Sequence, residues 1–197
     1  MTGTDLQTKG MLCDPGDHFI GIYEVERKYA VADLEVIRSQ LEARGAVPFT
    51  LGNAEQDIFY DLADRRLANN NQQHVLRVMR PSGRALWISK GPGPDKCISM
   101  DMADADQTNA MILSLGFEEV ERLEKKRDIY FLGKFHVTLD ELPDLGRFVE
   151  LAIMTDDADM LSQHEQEIGE LANSFNLSSN ALQTQSYRAM QQALKKA

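Results

Sequence analysis

Tyr23-Glu24-Val25-Glu26-Arg27-Lys28-Tyr29 is the stretch on which the reading of this 197-residue chain turns. Side chains alternate between the two faces of a β-strand, so Glu24, Glu26 and Lys28 would stand together on one side. Carboxylates held this close repel unless a cation lies between them, and the pattern reads as half of a metal and phosphate site. A solvated strand face would give the same alternation, because charged side chains usually lie in water. The choice depends on whether other strands repeat the feature.

Working outward, Asp33 can cap a helix whose apolar residues Leu34, Ile37 and Leu41 recur at helical spacing, with Gly45 suited to its stop. A second helix is expected from about Asp106 to Gly116. Strand character marks 57–61, 74–80, 85–90, 118–132, 135–139 and 147–154. Pro81-Ser82-Gly83 reads as a tight turn, and Gly91-Pro92-Gly93-Pro94 as a loop that cannot continue a sheet. In the tail, Asp156 or Asp157 can cap a helix carrying Met160, Leu161, Ile168 and Leu171, and a last helix is expected over 180–194. The helices should pack outside the sheet. With no fixed-period repeat and no long linker, a flexible N-terminus over 1–17 should precede a single domain over 18–197.

Composition narrows the classes. The chain is 43% hydrophobic and 26% charged, as soluble globular proteins are. A net charge of -10 argues against nucleic acid as a partner, because phosphate backbones would be repelled over most of the surface. Cys13 and Cys97 have no metal-site spacing and suggest no disulfide framework, which fits a reducing compartment. Residues 1–17 lack an apolar signal core, and no later run approaches the roughly 18 apolar residues of a membrane span. A cytoplasmic protein without a membrane partner is expected.

Other strands do repeat the charged face. Lys125 and Arg127 share a side in Leu123-Glu124-Lys125-Lys126-Arg127-Asp128-Ile129. Along 147–153, Val149, Leu151 and Ile153 form an apolar face suited to helices, leaving Glu150 on the other side beside small Ala152, where a ligand has room. Arg77 sits in an apolar stretch and Lys90 ends a strand; a long base so placed more often snorkels to water than binds phosphate. Asp140 can be a turn residue. If the sheet closes into a barrel, Glu24, Glu26, Asp140 and Glu150 meet Lys28, Arg77, Lys90, Lys125 and Arg127 inside it. Such a lumen is no packed core, since buried ions are costly unless paired or coordinated; it calls for a polyanion and divalent cations. The methionines of Met100-Asp101-Met102 and Met111 read as packing.

Taken in order, Glu24-Glu26-Lys28, Ile58-Phe59-Tyr60-Asp61, Leu76-Arg77, Lys90-Gly91-Pro92, Lys125 with Arg127, Thr138-Leu139-Asp140 and Gly146-Arg147-Phe148-Val149-Glu150 resemble the CYTH superfamily, the triphosphate tunnel metalloenzymes. Within it, Leu86-Trp87-Ile88 before Lys90, Gly133-Lys134-Phe135-His136, Ala152-Ile153-Met154-Thr155-Asp156-Asp157 and Ser186-Tyr187-Arg188 are most similar to the bacterial class IV adenylyl cyclases. The resemblance implies an α+β fold built on a closed antiparallel eight-stranded β-barrel with helices outside. It also implies a homodimer that converts ATP to cyclic AMP and pyrophosphate with Mg²⁺ or Mn²⁺.

By position, Glu24, Glu26 and Glu150, with Asp140 beside them, match the family's metal-binding carboxylates. Lys28, Arg77, Lys90, Lys125 and Arg127 match its triphosphate-binding bases, and Lys28, Lys125 and Asp140 are the candidates for catalysis. Met79 stands where many superfamily members have a second Arg, Ala152 where phosphatase members often have another Glu, and Ile98 where an acid is expected after Cys97. The rivals are a triphosphate hydrolase acting on inorganic or thiamine triphosphate, and a nucleotide or polyphosphate sensor without turnover.

Overall fold

The alternating stretch forms β1 (Tyr23–Val31) of the computed structural model, which describes residues 11–93 and 95–196. Asp33 caps α1 (Leu34–Ala43), its carboxylate accepting from the Glu35 amide at 2.9 Å. There follow β2 (Val47–Asp61), α2 (Arg66–Asn69), β3 (Gln73–Arg80), β4 (Ala85–Lys90), β5 (Cys97–Met102), α3 (Ala105–Ser114) and β6 (Glu118–Leu132). The chain then runs through β7 (Phe135–Leu142), β8 (Gly146–Thr155), α4 (Leu161–Ser174), the two-residue β9 (Leu182–Gln183) and α5 (Tyr187–Leu194).

Hydrogen-bonded neighbours follow the order β5-β4-β3-β2-β6-β7-β8-β1-β9, and pairing is antiparallel from β5 to β2 and from β6 to β9. The α+β expectation therefore holds, but the closed eight-stranded barrel needs correction. The described residues form nine strands, and no pairing among them joins β5 to β9. The ninth strand is a two-residue addition at the β1 edge, where Leu182 and Gln183 pair with Tyr29 and Lys28.

Three element boundaries also differ from expectation. β2 begins at Val47 rather than at residue 57, because Gly52, at φ 63°, kinks the strand without ending it while its amide donates to Asp128 Oδ1 at 2.5 Å. β5 lies outside the expected strands although Ile98-Ser99-Met100-Asp101-Met102 alternates, and it pairs with β4 along its whole length. The last helix starts only at Tyr187, where the Ser186 hydroxyl accepts from the Ala189 amide at 3.2 Å; the preceding residues form a short 3₁₀ turn and β9.

The chain divides into two compact units, and β2 and β6 run through both. In the unit made by Asn53–Glu124, Ile58, Tyr60, Leu76 and Ala85 bury against Ile112 of α3. In the other, residues 12–52 with 125–196, Val25 and Tyr29 of β1 and Val149, Leu151 and Ile153 of β8 pack on Ile37, Leu41 and Ile168 from α1 and α4. Leu41, Leu151 and Ile168 are completely buried, each contributing about 2 kcal/mol. The helices cover the apolar sheet face, as the strand pattern requires.

Of the N-terminus expected to be flexible, residues 1–10 lie outside the described residues. Leu12 donates its amide to the Phe49 carbonyl at 2.7 Å, and His18 donates to Pro15 at 3.1 Å. Cys13 and Cys97 form no disulfide among the described residues. Met102 packs partly against the first core, whereas Met100 and Met111 are exposed, contrary to the packing expected of them. No helix among the described residues is long and apolar enough to cross a membrane.

Candidate active site

The charged face of β1 is extended by its neighbours, because directly opposed residues of paired strands share a face. Lys28 lies opposite Glu150, Glu150 opposite Thr138, and Thr138 opposite Ile129. One row along, Glu26 lies opposite Ala152, Ala152 opposite His136, and His136 opposite Phe131. On the other side of the Lys28 row come Phe148, Asp140 and Arg127. Lys125 follows Arg127 by the two-residue period and is buried. Seven of the nine expected site residues thus stand in this unit, on the sheet face turned away from α1 and α4.

Arg127 organises the charges. Its Nε donates to Asp140 Oδ1 at 2.6 Å and its Nη2 to Asp140 Oδ2 at 2.5 Å, while the same Nη2 reaches Glu150 Oε2 at 2.5 Å. Asp140 is 0% exposed and accepts a third bond, at 2.8 Å, from the Tyr187 hydroxyl at the start of α5. The Lys28 ammonium sits 4.1 Å from the centre of the Tyr187 ring, which ties the C-terminal helix to the basic row. Burial pushes the Asp140 carboxyl upward, and Arg127 pulls against it. Burial, then Glu150 and Asp140, raise the Tyr187 hydroxyl far above its ordinary value, so it acts as a donor.

Beside these charges the same face turns aromatic. Phe131 stacks on His18 with ring centres 3.7 Å apart and planes 5° from parallel, and on Phe49 at 4.8 Å. His136, 4% exposed, hydrogen-bonds the His18 backbone, and its Nε2 is buried with no partner among the described residues. Burial, and then His18, push its pKa down to about 4, leaving the ring neutral at pH 7.

Arg77 and Lys90 belong to the other unit. Arg77 donates from Nε to Asp57 Oδ1 at 2.6 Å and from Nη2 to Asp57 Oδ2 at 2.8 Å, with Glu55 Oε2 at 3.3 Å. Glu55, Asp57 and Arg77 lie on the sheet face opposite Ile58, Tyr60 and Leu76, which point to α3. Lys90 ends β4 at Gly91, whose φ of 79° and close approach to the Asn71 carbonyl exclude a side chain.

The donor set suits a hard cation in chemistry. Glu24 and Glu26 share the β1 face and Glu150 stands one strand over, so all three could offer carboxylate oxygens. Among the described residues no three acids, histidines or cysteines already converge on one point, since one Glu150 oxygen is turned to Arg127. Sequence reasoning gave no role to Glu55, Asp57, His136 or Tyr187. Asp57 and His136 alternate with apolar neighbours along their strands, a signal that could have marked them. Tyr187 offered only the Ser186-Tyr187-Arg188 match, because a contact across 47 residues leaves no local trace.

Comparison with known proteins is independent of this geometry. The CYTH domain model matches residues 23–187. A protein of Aeromonas hydrophila named adenylate cyclase CyaB is 42% identical over 173 residues, covering 88% of this chain and 91% of that one. A solved structure from Vibrio parahaemolyticus is 35% identical, with a TM-score of 0.85 over 88% of this chain and 99% of that one. The PH1819 protein of Pyrococcus horikoshii OT3, at 23% identity and a TM-score of 0.74 over 89% and 100% of the two chains, shares the fold.

Proposed function

The chain belongs to the CYTH domain family, and from that premise we propose that it is an adenylyl cyclase converting ATP to 3′,5′-cyclic AMP and pyrophosphate. The carrying observation is the 42% identity to the Aeromonas enzyme, found in a chain that gathers Lys28, Lys125 and Arg127 with carboxylates on one sheet face. In this reading the ribose 3′ oxygen attacks the α-phosphorus, the bond from that phosphorus to the β-phosphate bridging oxygen breaks, and the 3′ hydroxyl proton ends on the released pyrophosphate. The protein's task is orientation and charge stabilisation. Lys28, Lys125 and Arg127 take up charge on the leaving pyrophosphate, and Arg77 and Lys90 of the other unit are assigned to the same triphosphate by family position. Glu24, Glu26 and Glu150 would hold Mg²⁺ or Mn²⁺, which when bound neutralises phosphate charge.

Asp140 takes a positioning role here. A carboxylate that is fully buried and bonded by Arg127 and Tyr187 would have to abandon both to accept the 3′ proton or hold a metal-bound water, so its work is to aim Arg127. A homodimer and a cytoplasmic location accompany the proposal, the first checked by light scattering of the purified chain.

The test is incubation of the purified protein with ATP and Mg²⁺ or Mn²⁺, with products separated by chromatography. Cyclic AMP with pyrophosphate, lost in a Glu24→Ala/Glu26→Ala variant, is the expected result. Orthophosphate without cyclic AMP would replace the cyclase reading by a triphosphate hydrolase, and nucleotide binding without product by a sensor.

A further inference from the structure

The row beside Lys28 and Glu150 carries a buried hydrogen-bonding atom that the proposed reaction leaves unused. His136 lies opposite Ala152, which lies opposite Glu26, so a small side chain separates the imidazole from the charged strand. One ring nitrogen of His136 bonds the His18 backbone; as that bond uses an N–H, the remaining Nε2 of the neutral ring is an acceptor. It is buried and has no partner among the described residues, a state that costs free energy unless water or a ligand supplies a donor. The surroundings are flat rings. Phe19, exposed to solvent, lies with its ring centre 4.6 Å from that of His136, and His18 and Phe131 stack beside them. The Lys28–Glu150–Thr138 row is two residues along the same strands, about 7 Å away.

Aromatic rings hold any nucleobase by stacking and tell one from another poorly, so selection must come from the polar atom. We infer that His136 is the specificity-determining residue for the base, its Nε2 accepting a hydrogen bond from the 6-amino group of adenine. A purine with a 6-oxo group would bring a second acceptor against that nitrogen and leave both buried and unpaired. The inference rests on the reading that a nucleoside triphosphate occupies this face, and it deepens that reading by assigning the choice of base.

The experiment measures binding without turnover. Calorimetry on the full chain with Mg²⁺ compares 3′-deoxy-ATP, 3′-deoxyinosine triphosphate and inorganic triphosphate; neither nucleotide has the 3′ hydroxyl that cyclisation needs. The wild type should bind 3′-deoxy-ATP at least about tenfold more tightly than the 6-oxo analogue, the scale of one buried unsatisfied group. His136→Leu should bring the two within about twofold by weakening the adenine nucleotide, with inorganic triphosphate unchanged, and His136→Gln, which keeps an acceptor, should retain part of the preference. Equal binding of the two nucleotides by the wild type overturns the inference without any variant, and so does a preference that survives in a folded His136→Leu protein. Because binding is read rather than product, a failed cyclase assay does not alter the outcome for His136. Binding of inorganic triphosphate with no preference between bases removes the base assignment while leaving the triphosphate site in place.

Discussion

Arg127 divides one guanidinium between two acids, bonding both oxygens of Asp140 and one of Glu150. Deleting it would strand two buried carboxylates, a situation that costs about 3–5 kcal/mol. Arg127→Ala should therefore lower the urea midpoint by an amount corresponding to that loss, and Arg127→Lys should recover only part of it, since an ammonium cannot reproduce the fork. An Ala variant as stable as the wild type would show that the acids are balanced by other groups. At this scale the sequence was informative about sides and silent about partners. The period of two put Lys125 and Arg127 on one face, and Glu24, Glu26 and Lys28 on another segment's face, with no need for tertiary information. It carried nothing to say that Arg127 would be tied to Asp140 from the next strand and, through it, to Tyr187 from the last helix.

Elements were legible where their signals are local. Asp33 and Asp104 cap α1 and α3 as a short polar residue before an apolar period should. The start of α5 rests on Ser186 in the same way, and that cap sets the position of Tyr187. Ser186→Ala should cost about 1 kcal/mol in chemical denaturation and, by loosening Tyr187 from Asp140 and Lys28, weaken inorganic triphosphate binding in calorimetry. Unchanged binding beside a measurable stability loss would separate the helix from the site. A second element contact depends on pH. Glu167 of α4 accepts from Lys134 in the β6–β7 turn at 2.5 Å and contacts His164 at 2.9 Å, and with Gln163 these hold its pKa down at about 2. A carboxylate depressed in the folded state stabilises above its unfolded value of 4.5 and loses that contribution as the pH falls toward 2. Glu167 and Lys134 are solvent-accessible, although His164 is buried, so the loss should stay below about 1 kcal/mol. Glu167→Gln should flatten the stability curve between those pH values, and an unaltered acid limb would count against the contact. Missed boundaries had the opposite character. Gly52 looks like a strand end until Asp128 receives its amide, and β5 is too short to stand out until β4 lies beside it.

At the scale of the whole molecule, 31 acids against 21 bases give a net charge of -10, yet the proposed substrate is itself an anion. Long-range repulsion is screened beyond about 10 Å at 0.1 M salt, while buried bases such as Lys28 and Lys125 are screened much less. The association rate of ATP, followed by stopped flow, should accordingly rise as ionic strength increases from about 0.01 M to about 0.1 M. A falling rate would mean that bases at the surface steer the ligand. Alternation, helix period and capping residues are properties of a few neighbouring residues. For that reason strands alternating with helices, with acids and bases on one side of the strands and apolar residues on the other, could be read without tertiary information. Which strand ends the sheet, which acid Arg127 grips and which ring lies under Lys28 depend on groups brought together from distant parts of the chain. Only the tertiary structure decided those, because partner choice is set by packing and burial rather than by spacing along the backbone.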